Sequence, residues 1–180
     1  MTPTTSTPSM FSRRHALAGA GLLALGATLA RSANHAVAHQ EGTDPLAGTT
    51  IEALSGGEPQ IAPGNSLVLL RVTMEPGVVI PPHSHPGPVA LYVEQGLFGT
   101  EFFEGKGTVQ PAPVDGTPTA AIEMAPGDDV QMPAGDHLFY DGAVHTMRND
   151  GDEALVLLVA AIFANGAPGF QWMDMDMATP

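Results

Sequence analysis

From Ile51 to Phe163 the chain is a series of short apolar runs, each stopped by glycine or proline. With 21 Gly and 17 Pro, it leaves no stretch after the N-terminal segment with the sustained 3.6-residue period of a capped helix. The strands expected are 66–74, 89–96, 97–103, 120–125, 129–133, 137–141, 145–149 and 154–163. Pro76-Gly77, Gly96, Pro126-Gly127, Gly135, Gly142 and Asn149-Asp150-Gly151 supply the turn chemistry between them. Many short strands with regular turns predict an all-β antiparallel sandwich or barrel. Residues 104–119, "EGKGTVQPAPVDGTPT", read as an exposed loop that has room for a short strand at Thr108–Gln110.

The first 38 residues have a different character. Arg13 and Arg14 precede an apolar run from Ala16 to Ala30, followed by Ala36-Val37-Ala38, the layout of an export signal with a small-x-small cleavage site. "SRRHAL" resembles the twin-arginine signal, which implies a periplasmic, cell-surface or extracellular destination. A buried Ala-rich helix and a membrane anchor are the other readings. A run of this length is short of the roughly 20 apolar residues that a span needs, so no stable span is expected after cleavage. The expected organisation is signal 1–38, polar linker 39–50, barrel 51–165 and tail 166–180. About 140 residues suffice for one core.

Cleavage after Ala38 would leave Arg71, Lys106 and Arg148 against all 19 acids, a net charge of −16. So acidic a protein repels nucleic acid and anionic lipid. Cysteine is absent, which removes disulfides and thiol chemistry, so stability must come from the core.

Within "IPPHSHPGPVALYVEQG", His83 and His85 share one face if the backbone is extended, and Pro81-Pro82 hold that approach extended. His145 follows Gly142 by three residues, and Asn149 follows His145 by four. Three convergent imidazoles form a ligand set for Fe, Mn, Zn, Cu or Ni, with positions left for water or substrate. The alternative is that they satisfy local hydrogen bonds in a core or at a surface.

"GVVIPPHSHPGPVALYVEQG" (77–96) resembles the first motif of the cupins, Gly-x5-His-x-His-x(3–4)-Glu-x6-Gly, in Gly77, His83, His85 and Gly96. "GDHLFYDGAVHTMRNDGDEALVLLV" (135–159) resembles the second, Gly-x5-Pro-x-Gly-x2-His-x3-Asn, in Gly135, Gly142, His145 and Asn149. The proline is missing, with Tyr140 or Asp141 near its place, and the segment is one residue short before Gly142. The resemblance implies a cupin-type antiparallel β-barrel (double-stranded β-helix, or jelly roll) with a divalent transition metal inside. His83, His85 and His145 are carried over as ligands. It also implies a small-molecule ligand or substrate and pairing of two copies through sheet edges.

The family's Glu does not carry over: Val89 or Ala90 stands in its place. Glu94 lies too far along and has opposite parity to Val89, Leu91 and Val93. The site is then a three-His site, a site completed by Glu101 or His137, or a barrel that has lost its metal. Asn149 reads as structural, and Tyr92, Phe98, Phe102, Phe103, Phe139 and Phe163 read as barrel packing. The Met-Asp-Met-Asp-Met tail suits Cu(I) by its thioethers, against the plainer reading of a solvated acidic tail. The expectation is an exported metal-binding protein, either a three-His, Fe(II)-like dioxygenase of a small chelating substrate or a barrel that binds ligand or metal without turnover.

Overall fold

The computed structural model describes residues 44–173. The export-type segment 1–38 and the alternating Met-Asp tail beyond Met173 lie outside them. Among the described residues twelve strands occur: β1 Thr49–Gly57, β2 Asn65–Met74, β3 Val79–Ser84, β4 Pro88–Gln95, β5 Leu97–Glu104, β6 Gly107–Gln110, β7 Ile122–Met124, β8 Asp129–Pro133, β9 His137–Asp141, β10 Val144–Asn149, β11 Leu155–Ala164 and β12 Gln171–Trp172. They form a seven-stranded sheet, β1-β2-β11-β4-β9-β6-β7, and a five-stranded one, β12-β3-β10-β5-β8. Each strand pairing is antiparallel. This is the all-β barrel of two sheets that the punctuated sequence predicts. No helix among the described residues is long and apolar enough to cross a membrane.

Side-chain alternation builds the core. Along β4, Val89, Leu91 and Val93 are buried while Ala90, Tyr92 and Glu94 are exposed, the period of a strand with one face inward. β5 contributes Phe98 and Phe102, and β11 contributes Leu155, Leu157, Val159, Ala161 and Phe163. Each fully buried large apolar side chain of this kind is worth about 1.5–3 kcal/mol relative to exposure. β4 and β5 join at Gly96, whose φ of 90° suits glycine and whose added Cβ would stand 3.0 Å from Leu155 Cα.

Besides the added strands β3 and β12, three local features depart from the sequence expectation. β1 begins at Thr49, because pairing with β2 as far as Met74 recruits two threonines that composition alone reads as linker. Part of segment 104–119 is interior: β6 pairs with both β9 and β7, and Val109 is buried. Tyr92 and Phe139, expected as barrel packing, are 43% and 53% exposed, since both sit on the outward parity of their strands.

Candidate metal centre

His83 enters the interior through a distortion that its prolines create. His145 pairs with His83 and Met147 with Ile80, so two steps along β10 match three along β3. Proline has no N–H for the ladder, and a bulge is where a sheet tolerates it. The extra residue lets Ile80 and His83 both face inward, and both are completely buried. On β10, His145 lies between β3 and β5, opposite His83 on one side and Phe102 on the other. His85 follows β3 directly and is partly buried.

One nitrogen from each of His83, His85 and His145 lies within 4.8 Å of the other two. Among the described residues this is the group of three placed to hold a metal ion. Two nitrogens on one ion can be no more than about 4.2 Å apart at a bond length of roughly 2.1 Å. The three nitrogens are thus grouped at close to the spacing that a shared ion requires.

Hydrogen bonding decides which nitrogen faces the centre. His83 Nδ1 donates to the Pro81 carbonyl at 2.7 Å, and His85 Nδ1 to the Gly169 carbonyl at 2.6 Å. His145 Nδ1 lies 3.0 Å from the Thr146 carbonyl and 3.3 Å from Thr100 Oγ1. The Thr100 hydroxyl itself donates to the Thr146 carbonyl at 2.7 Å. A carbonyl only accepts, so each Nδ1 carries the proton and each Nε2 keeps its lone pair. The Nε2 atoms of His83 and His145 are buried with no hydrogen-bond partner. A buried, unpartnered acceptor is costly, and the donor set fits a divalent transition metal.

Burial keeps the imidazoles neutral. His83 is lowered to about 3, first by loss of solvation and then by the neighbouring His85, against the opposing bond to Pro81. His145 is lowered well below 6.5 by burial, then by His83 and His85. His85 is lowered by burial. Metal ligation requires neutral imidazole, so no proton has to be displaced at neutral pH.

The surround is aromatic. Tyr140 packs against His145 at 4.5 Å between ring centres, and Phe163 lies parallel to His85 at 5.9 Å. Phe170 lies 5.0 Å from His83 and 5.2 Å from His85, with Trp172 5.6 Å from His83. Tyr140 is fully enclosed, which raises its hydroxyl above the usual range.

Of the other candidates, neither joins the cluster. Glu101 stands between inward Thr100 and Phe102, on the outward face of β5 opposite Asp129. His137 is exposed, on the outward parity of β9 with Phe139 and Asp141. Val89 is 1% exposed and its neighbour Ala90 is exposed, so Val89 is the inward residue where the family motif has Glu. Asn149 is structural: its Nδ2 donates to the carbonyls of Met74 and Glu153, and its Oδ1 accepts from Gly151 N. Sequence reasoning missed Gly169 and set aside the reading in which the tail holding Phe170 and Trp172 folds back over a groove. The alternation Phe170-x-Trp172 after Pro168-Gly169 is the signal that could have found them, as it puts two aromatics on one strand face.

No family model matches the chain, and no curated protein matches its sequence. Among solved structures, a cupin-2 domain protein from Rhodospirillum rubrum is 18% identical, over 76% of this chain and 73% of that one, at a TM-score of 0.43. A cupin-like protein from Thermotoga maritima is 23% identical over 69% of this chain and 75% of that one, TM-score 0.36. Oxalate decarboxylase from Lactobacillus farciminis, in a formate complex, is 23% identical over 58% of this chain at a TM-score of 0.37; the match spans 25% of that enzyme's length. These likenesses are distant, and the fold rests on the chain's own strand order and the position of its two histidine motifs. On those grounds the described residues form a two-sheet antiparallel β-barrel, the architecture that the resemblance to cupins implies.

Proposed function

We propose that this is an exported metal-binding barrel that holds a divalent transition metal through Nε2 of His83, His85 and His145, and oxidises a small chelating substrate with O2. The observation that carries the reading is the pair of buried, unpartnered Nε2 atoms beside three Nδ1 atoms that each meet a backbone carbonyl. A bound ion would supply Lewis acidity and open coordination positions for substrate.

The chain's residues supply the rest. Three neutral imidazoles leave the positive charge of the ion uncompensated, which favours an anionic chelating group. Arg71 is held by Glu52 and Glu94, Arg148 by Asp129 and Asp150, and Lys106 is exposed. No side-chain cation among the described residues therefore competes for that group at the site. Phe163, Phe170 and Trp172 offer an apolar wall that excludes water from it. A barrel that binds without turnover is the second reading, favoured by Val89 in place of a carboxylate and by a group that, among the described residues, holds histidines alone. Residues 1–38 fit this reading as a twin-arginine export signal.

The test is metal analysis of the purified protein, then oxygen uptake with a panel of small chelating acids and enolates. Titration with Ni²⁺ should quench the emission of Trp172, the one tryptophan in the chain, with saturation at one equivalent. His83→Ala, His85→Ala and His145→Ala should each abolish the quench. Stoichiometric metal retained in all three variants would refute the ligand assignment. Bound metal with no oxygen consumption across the panel would remove the oxidative reading and leave the binding one.

A further inference from the structure

We propose that residues 169–172 are a positioning element of the histidine site: the Gly169 carbonyl fixes the tautomer of His85, while Phe170 and Trp172 hold the rings of His83 and His85 in place. The three histidines differ in where their capping carbonyls come from. Pro81 and Thr146 lie within two residues of the histidines they cap, so His83 and His145 carry their orientation with their own strands. His85 takes its carbonyl from a residue 84 positions away. Its Nε2 lone pair faces the cluster only while the C-terminal segment is docked.

That docking is specific and slight. β12 pairs with β3 in the register Gln171↔Ser84 and Trp172↔His83. Met173 N donates to the Pro82 carbonyl at 3.1 Å, and Ser84 Oγ donates to Gln171 Oε1 at 3.2 Å. Phe170 and Trp172 stack on each other at 5.1 Å with an angle of 9° between their planes; both lie against His83, and Phe170 also lies against His85. A two-residue strand with few backbone bonds adds little to the barrel, whereas its Trp172 meets His83 and the preceding Phe170 meets both His83 and His85. Partners that orient metal-ligating imidazoles in this way commonly change metal affinity 10- to 100-fold.

The test compares the full chain with a variant ending at Ala167 and with the full-length variant Met173→Pro, which removes the donor to Pro82 while keeping Gly169, Phe170 and Trp172 in the chain. Long-range ¹H–¹⁵N correlation spectra of metal-free protein report each ring tautomer, an arm that does not depend on the metal reading. In the full chain all three rings should be Nδ1–H. In the shortened chain His85 should lose that form while His83 and His145 keep it. Retention of the Nδ1–H form at His85 would overturn the proposal. If shortening collapses all three signals together, Met173→Pro decides: a partial loss confined to His85 supports positioning, and no change there refutes it. The second arm is Ni²⁺ affinity by competition with a chelator. It rests on the metal reading and should weaken about 10- to 100-fold in the shortened chain. Equal affinities would overturn the proposal. Absence of Ni²⁺ binding in the full chain would instead count against the metal reading and leave the tautomer result to judge the positioning.

Discussion

Acid should destabilise the metal-free protein through His83, by an amount that follows from its burial. In the unfolded chain this imidazole titrates near 6.5, and in the fold it is lowered to about 3. Between those values the unfolded chain binds more protons, so stability falls as pH falls below 6.5 and the loss is complete only near the folded value. From pH 7 to pH 5 the linkage for His83 alone amounts to about 2 kcal/mol. His85 and His145 are lowered as well and act in the same direction. The window lies above the ordinary carboxylate range, which keeps acid residues largely out of the measurement. Reduced self-repulsion of an acidic protein works the other way, so the comparison must be internal. The assay is urea unfolding at pH 7 and pH 5, at one ionic strength, for chelator-treated protein and its His83→Gln variant. The stability gap between wild type and variant should move by about 2 kcal/mol, wild type losing more at pH 5. A gap independent of pH would refute a buried neutral His83.

Two further outcomes can be measured. Val89→Glu places a carboxylate on the inward face of β4, opposite Tyr140 in the ladder. Without metal it should cost about 3 kcal/mol or more in thermal or urea unfolding, and added divalent metal should return much of the loss; no rescue would mean that Val89 does not face the ion. Leu157→Ala, in the middle of β11 and fully buried, should cost about 2–5 kcal/mol by urea unfolding with the metal affinity unchanged.

Much of the fold was legible because strand, turn and burial leave local signals. Val89, Leu91 and Val93 alternate with polar or small residues, and "ALVLLVAAIF" can be little else than a strand packed on the sheet interior. The histidines were legible from their joint spacing. What escaped depends on long-range pairing. Thr49 gives no local strand signal and is ordered by β2, while Phe139 and Tyr92 look like core until parity places them outside. The bulge at Pro81-Pro82 was hidden for a related reason: prolines announce extended backbone, but a register shift exists only against a partner strand. Gly169 acts through its carbonyl, which every residue type possesses, so no composition rule could single it out.

The cross-strand pairing of His83 with His145 also bears on how the molecule folds. An unfolded chain presents His83 and His85 as a local pair, but His145 joins them only after β10 has closed a long loop onto β3. The ion's full three-ligand affinity is therefore absent until that non-local closure is made, late in a topology rich in distant contacts. An interaction that forms after the barrier lowers the unfolding rate and leaves the folding rate nearly unchanged. Metal in this barrel would then act as a kinetic lock on a finished fold rather than as its nucleus.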